Sequence, residues 1–383
     1  MGLILNDLKN ACELEHVCDY VNNRTTSSMN YISTENMLPN KGGISESTII
    51  PPGTTTEYKI GDILISNIRP YFQKIWCADR CGGCSADVLC IRAKENTDSK
   101  YLYYLLSQQA FFDYVMSGAK GCKMPRGDKK QIMQWPVNIP AIDVQKKVVA
   151  ILSSLDNKIR LNRRINDNLE EQAKALFNHY FIQNTENLGE WQDGVLTDIA
   201  QYLNGLAMQK YPAMPNEAGL PVLKIKELGQ GQCDTNSDRC SSLIKPEYII
   251  SDGTSIFSWS GTLLVDIWCG GKCGLNQHLF KVSSAKYPQW FVFYWTKHHL
   301  NKFIRIAKDK AVTMGHIKRC DLEISKVKIP SKQALVNLDK LFSPIFNRMV
   351  TCRIENRKLS SLRDTLLPKL MSGEISVEEV SLD

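Results

Sequence analysis

The chain repeats itself. Landmarks of the N-terminal half return in the C-terminal half at an offset close to 190 positions, whereas solenoid repeats have periods of about 20–50 residues. The repeating unit is therefore a whole domain with its appendage. Ile75-Trp76-Cys77, followed by Cys81-Gly82, returns as Ile267-Trp268-Cys269, followed by Cys273-Gly274. Tyr101-Leu102-Tyr103-Tyr104-Leu105 returns as Phe291-Val292-Phe293-Tyr294-Trp295, and Val137-Asn138-Ile139-Pro140 as Val327-Lys328-Ile329-Pro330. Asn166, Leu169 and Leu176 fall on Asn356, Leu359 and Leu366 without a gap. Shared order with little identity between landmarks implies two domains of one fold whose working surfaces have diverged.

Each half opens as a mixed α+β globule. Gly61-Asp62-Ile63-Leu64-Ile65, Asp87-Val88-Leu89-Cys90-Ile91, Thr262-Leu263-Leu264-Val265 and His278-Leu279-Phe280-Lys281-Val282 are short apolar runs bounded by Gly, Pro or charge, which reads as strands. Residues 101–116 and 290–306 carry aromatic and aliphatic side chains at helical spacing. Past the Ile-Pro landmark the pattern becomes a heptad seam: Val148, Leu152, Leu155, Ile159, Asn162, Asn166, Leu169, Ala173, Leu176 and Tyr180. The second copy runs Leu338, Phe342, Ile345, Met349, Cys352, Asn356, Leu359, Arg363, Leu366 and Leu370, with Pro344 and Pro368 expected to interrupt it. At 1.5 Å per residue each helix is roughly 50 Å long. One such helix cannot bury its seam, so the two are expected to pair, antiparallel, with a globule at either end of a rod. Asn162, Asn166 and Asn356 would then set register, or else be solvated positions on imperfect coils. The expected divisions are a first globule 1–142, helix 143–183, second globule 184–332, helix 333–373 and an acidic tail 374–383.

Composition narrows the class. With 43% hydrophobic and 23% charged residues, the chain has the balance of an ordinary globular protein. No run nears the roughly 18 uncharged apolar residues of a membrane span, and Met1 to Lys9 lacks a secretory signal pattern. Thirteen cysteines, an odd number, suit a reducing compartment. A cytoplasmic protein with no membrane contact is the expectation.

Catalytic signatures are missing. The sequence has no phosphate-binding loop, dinucleotide fingerprint, zinc-protease helix, nucleophile elbow or amino-methyltransferase motif. His298 and His299 are adjacent and point to different faces of a helix. Cys77, Cys81 and Cys84, echoed by Cys269 and Cys273 with His278 downstream, lack standard zinc spacing and read as small buried residues, so no metal is expected. The net charge of +7 leans basic, and the clustering of cations says more than their sum. Lys120, Lys123, Arg126, Lys129 and Lys130 precede the first Ile-Pro landmark. Lys297, Lys302, Arg305, Lys308, Lys310, Lys318 and Arg319 precede the second. Asn67, Arg69 and Lys74, and Lys224, Lys226 and Lys272, add candidates from the strand regions. Such residues neutralise phosphates or read base edges; for each one alone, a solvated surface is the competing reading.

The run Gly61-Asp62-Ile63-Leu64-Ile65-Ser66-Asn67-Ile68-Arg69-Pro70, with Gly82-Gly83-Cys84-Ser85, then Ile139-Pro140 leading to Gln145 and a helix from Leu152 to Phe181, resembles the specificity (S) subunit of type I restriction-modification systems. The close, Leu362-Arg363-Asp364-Thr365-Leu366-Leu367-Pro368-Lys369-Leu370-Met371-Ser372-Gly373-Glu374-Ile375, is similar to that family's usual ending. The resemblance implies two target recognition domains reading a split sequence in double-stranded DNA, held apart by paired spacer helices. It implies no catalytic residue and no cofactor in this chain. Two methyltransferase (M) subunits would dock on it, joined by restriction/translocase (R) subunits, and S-adenosylmethionine, ATP and Mg2+ would belong to those partners. One departure is expected: Gly61-Asp62-Ile63-Leu64 becomes Gly261-Thr262-Leu263-Leu264, and Ser66 to Pro70 has no clear second copy. A protein-binding coiled-coil scaffold, and a self-contained nuclease or methyltransferase, are the rival classes.

Overall fold

The computed structural model describes residues 11–26, 29–47, 53–183, 191–309 and 315–377. Packing divides the chain into two compact units: Met1–Asp156 with Ser361–Asp383, and Asn157–Ser360. The first unit is built on an antiparallel sheet ordered Cys18–Tyr20, Val88–Ala93, Ile63–Ser66, Ile75–Cys77. A smaller sheet joins Arg24–Thr25, Thr55–Tyr58 and Gly82–Cys84, and Cys12–Glu13 pairs with Pro136–Val137. The second unit repeats the main sheet with Gln201–Asn204, Leu279–Ser283, Thr254–Ser258 and Leu264–Trp268. Its terminal ladder, Gln192–Val195 with Lys326–Ile329, likewise repeats that of the first. The duplication is thus one of topology as well as of sequence.

The helix expected over 101–116 is two, Ser99–Leu106 and Gln109–Ser117, with Ser107, whose hydroxyl donates to the Tyr103 carbonyl (2.6 Å), at the junction. Asp98 caps the first of them by accepting from the amides of Lys100 and Tyr101. Its counterpart Gln289–Asp309 is continuous.

The ladder corrects the repeat alignment. Ile63 pairs with Cys77, and the Gly61 amide donates to Ala78. In the second unit Ser255 pairs with Ile267, and the Gly253 amide donates to Trp268. Gly61-Asp62-Ile63-Leu64 therefore corresponds to Gly253-Thr254-Ser255-Ile256, not to Gly261-Thr262-Leu263-Leu264, and Ile75-Trp76-Cys77 corresponds to Val265-Asp266-Ile267. Gly61 and Gly253 share a left-handed backbone, at φ 90° and 84°. The Ile-Trp-Cys identity is two residues out of register. A two-residue slip keeps every side chain on its own face of the strand, so the hydrophobic pattern alone does not detect it.

The long helices span Ile142–Phe177, continued by a π-helical turn Asn178–Gln183, and Lys332–Ser372. Pro344 and Pro368 do not interrupt the second. Both face solvent, while the neighbouring Phe342, Phe346, Leu367 and Leu370 are buried and hold the helix in line. Each globule closes its core with pieces of both helices. In the first unit Val148, Ile151 and Leu152 join Leu367, Leu370 and Met371 beneath Tyr101, Leu102, Phe111 and Trp135. In the second, Ala173, Phe177 and Phe181 join Leu338, Phe342 and Phe346 beneath Trp290, Phe293 and Trp295.

Within the second unit the pairing runs antiparallel. Asn162 donates to Glu355 (2.8 Å) and Asn356 (3.0 Å), Glu170 faces Arg353 (3.9 Å), and Phe181 meets Phe342 at 6.3 Å between ring centroids. Within the first, Arg363 bonds Asp156 at 2.8 Å. Phe342 is wholly buried and lies flat on Trp290, with centroids 4.2 Å and planes 9° apart. Phe342→Ala is therefore expected to cost about 3–5 kcal/mol, read as a lower urea midpoint for the Trp290 environment.

Candidate nucleic-acid interface

Both units build the same platform where the third strand of the main sheet ends. In the first, the Ser66 hydroxyl donates to the Ile68 carbonyl (3.0 Å), and the Arg69 amide donates to Pro125 (2.8 Å). Ile68 forms a bridge with Arg126, and the Gly127 amide donates to Asn67 (3.4 Å). In the second, Ser258 donates to the Ser260 carbonyl (3.2 Å), and the Gly261 amide donates to Gly315 (3.1 Å). Ser260 bridges His316, and the Ile317 amide donates to Trp259 (3.1 Å). The Ser66–Pro70 segment thus does have a second copy, Ser258–Thr262, which sequence comparison passed over because only the serine is shared. In each unit a backbone clamp fixes the strand end to the loop that precedes the Ile-Pro landmark.

The side chains on the two platforms differ. On the first, Arg69 has φ 51° and ψ 63°, a left-handed conformation costing a non-glycine residue about 1 kcal/mol or more. Pro70 then opens a short turn that exposes Tyr71 and Phe72. Lys74 lies 5.9 Å from the Phe72 ring and donates to the Thr34 carbonyl (2.7 Å); burial lowers its pKa, and Glu35 opposes that shift. Asn67 is buried with an unpartnered side-chain oxygen. Lys120 and Arg126 exchange backbone hydrogen bonds, which folds their loop back on itself and leaves Lys123 exposed. Lys120 pairs with Asp128 (2.9 Å) and Arg126 with Asp87 (3.0 Å). Lys129 lies against the Tyr20 ring (5.8 Å), and Lys130 is exposed on the same short helix, which Asp128 caps.

On the second platform Trp259 donates to Asn204 (2.9 Å) and lies among His278, Phe280 and His316, while Ser260 bonds His278 (2.9 Å). Lys308, Lys318 and Arg305 are exposed nearby in sequence, and Arg319 pairs with Glu323 (3.9 Å). Lys310 lies outside the described residues. Lys297 is engaged with Glu170, and Lys302 reaches Ser325 (3.4 Å). Lys224 and Lys226 are neutralised locally by Asp238 and Asp234. Lys272 is exposed but lies at the opposite end of the parallel pair Leu220–Leu223 and Cys273–Leu275, so these three do not form one patch.

Sequence reasoning missed the exposed aromatics Tyr71 and Phe72 and the group Trp259, His278 and His316. In the second unit Trp259 beside the strand-end Ser258 was the available signal; in the first, Ser66 is followed by Asn67 and carries none.

Other candidate chemistry is structural. Among the described residues no group of His, Cys, Asp and Glu is arranged to hold a metal. All thirteen cysteines are free thiols, and Cys84 and Cys273 are fully buried. His299 is buried, its pKa lowered to about 4 by that burial, and its ring nitrogen donates to the Lys326 carbonyl (2.8 Å). A polar cleft in the second unit, lined by Arg163, Asn166, Glu170, Asp266, Arg353 and Arg357, has internal charge pairs in its wall, such as Arg353 with Asp266 (2.7 Å). No helix of the described residues is long and apolar enough to cross a membrane.

Residues 9–171 match the family model of the type I restriction modification DNA specificity domain. Over that domain, and across most of its length at lower identity, the chain is similar to the type I restriction-modification specificity subunits. These are non-catalytic DNA-recognition components. The specificity subunit of the type I restriction enzyme MjaIX from Methanocaldococcus jannaschii is 25% identical over 310 residues, covering 75% of this chain and 71% of that one. The specificity subunit of the type I restriction enzyme HindI from Haemophilus influenzae is 24% identical over 438 aligned positions, covering 90% and 94%. The fold is that of the type I S subunit crystal structure from M. genitalium, at 15% identity, 96% and 98% coverage and a TM-score of 0.54. In this chain, Asp87→Asn removes the acid from Arg126 while keeping the backbone carbonyl that anchors Asn67. The pair is surface-exposed, so folding stability is expected to change by less than about 1 kcal/mol. DNA affinity is expected to rise, with a steeper salt dependence, in a binding titration across ionic strength.

Proposed function

We propose that this chain reads a bipartite target in double-stranded DNA, each unit reading one half-site, and carries the modification and restriction subunits to it. The observation that supports this reading is the duplicated platform: one backbone clamp made twice, with different side chains on each copy. One scaffold with two side-chain sets suits two unequal half-sites. In this reading Asn67, Arg69, Lys74, Lys120, Lys123, Arg126, Lys129 and Lys130 face the first half-site. Arg305, Lys308, Lys318 and Arg319 face the second, and Lys310 is assigned to the same half-site from its place in the sequence alone. Lys224, Lys226 and Lys272 are peripheral phosphate contacts at most, given the acids beside two of them.

The helix pair acts as a spacer, with Asn162, Asn166 and Asn356 fixing its register. A slip that left buried Asn162 without Glu355 and Asn356 would strand a polar group in the seam. Two methyltransferase subunits dock on the chain, and restriction/translocase subunits join through them. S-adenosylmethionine, ATP and Mg2+ are handled by those partners, and the assembly works in the cytoplasm.

Exchanging residues 1–142 for the matching segment of another specificity subunit is expected to change one half of the methylated motif and leave the other half and the spacing intact. The exchanged segment must keep apolar partners for Val148, Leu152, Leu367 and Leu370, which share its core. A change in both halves would contradict the modular reading, and a chain whose DNA affinity showed no salt dependence would favour a protein-binding scaffold.

A further inference from the structure

We propose that Arg69 is a backbone-phosphate anchor belonging to the first unit alone, so that the two units grip DNA unequally. The proposal rests on the DNA-reading role above and adds a residue and an asymmetry to it.

The duplicate supplies an internal control. Arg69 and Gly261 occupy the same place in the clamp, each donating its amide to the loop residue opposite, Pro125 or Gly315. Both are left-handed, at φ 51° and 65°. Glycine adopts that conformation freely and arginine does not. The turn itself therefore does not call for arginine, and a strained arginine where the sister domain has glycine points to work done by the side chain.

The surroundings identify the work. Arg69 makes no ion pair among the described residues, whereas Lys120 and Arg126 on the adjoining loop are matched with Asp128 and Asp87. Its Nε is buried with no hydrogen-bond partner. A half-buried guanidinium lacking a carboxylate fits a phosphate, whose oxygens accept two parallel N–H bonds. Base edges lie about 8.5 Å down a major groove. A side chain recessed in a clamped turn reaches the groove's rim, where the phosphates are, and not its floor. The exposed Tyr71 and Phe72 follow Arg69 closely in sequence, and the exposed Lys123 lies two residues before Pro125, the backbone partner of Arg69.

The test uses the full chain co-purified with its methyltransferase partner. DNA binding is titrated across salt with two duplexes, one carrying the motif the complex methylates and one unrelated, for wild type, Arg69→Gly and Arg69→Lys. For Arg69→Gly, affinity is expected to fall about tenfold on both duplexes, with a salt slope shallower by about one. The melting temperature should be unchanged or higher, and the methylated motif unchanged. Arg69→Lys should restore most of the slope. A lower melting temperature with unaltered affinity and slope would make Arg69 structural and overturn the proposal. Altered base preference at the first half-site would make it a base reader and overturn it equally. Wild type that bound neither duplex would overturn the DNA-reading role as well, whereas wild-type binding matched by Arg69→Gly would overturn this inference alone.

Discussion

Each globule has a core that stays open until two helices fill it. In the first unit, Leu367, Leu370 and Met371 from near the end of the chain pack with Val148, Ile151 and Leu152 beneath a sheet made from residues 18–93. In the second, Phe177 and Phe181 meet Phe342 and Phe346 in the same way. Removing either helix segment would expose a face of aromatic and aliphatic side chains, each contributing about 1.5–3 kcal/mol of burial. The helix that follows one globule is thus needed to complete the core of the other. A chain built this way folds as a closed circuit of contacts, with the most distant residues in sequence sharing a core.

Polar groups in the seam sharpen that constraint. Asn162 is wholly buried, and Glu355 and Asn356 take both its amide hydrogens. Arg363 occupies a seam position in the first unit, held between Asp156 (2.8 Å) and Asp364 (2.9 Å). Leaving one such partner unmatched costs more than the matched pair contributes. Polar seam positions therefore favour one alignment of the helices over its neighbours without adding much to stability.

The periodic parts of this architecture were legible in the sequence. Helical spacing marked residues 290–306 and the two seams, whereas the Ile-Pro segments stood out only as repeated landmarks and not as parts of the terminal ladders. Short strands were less legible, since a slip of two residues leaves the in-and-out alternation intact; Ile75-Trp76-Cys77 was matched to the wrong tripeptide for that reason. Pro344 and Pro368 misled because a local rule about proline was outweighed by buried phenylalanine and leucine on either side. For the candidate site, the basic loop at 120–130 was visible as a cluster. That Asp87 and Asp128 engage Arg126 and Lys120 was not, since pairing depends on which strand ends meet that loop. The Trp259 group escaped notice because its equivalence to Asn67 is set by backbone hydrogen bonds and not by side-chain likeness.

On the proposed reading, a scaffold that repeats its backbone and varies its side chains would let one chain address two different DNA sequences. The most direct measurement is to co-express this chain with the methyltransferase subunit from its own locus in a methylation-free host and map modified adenines by long-read sequencing. The account predicts a motif of two short, unrelated blocks around a fixed gap, absent when this chain is omitted. A single continuous motif, or methylation independent of this chain, would contradict it.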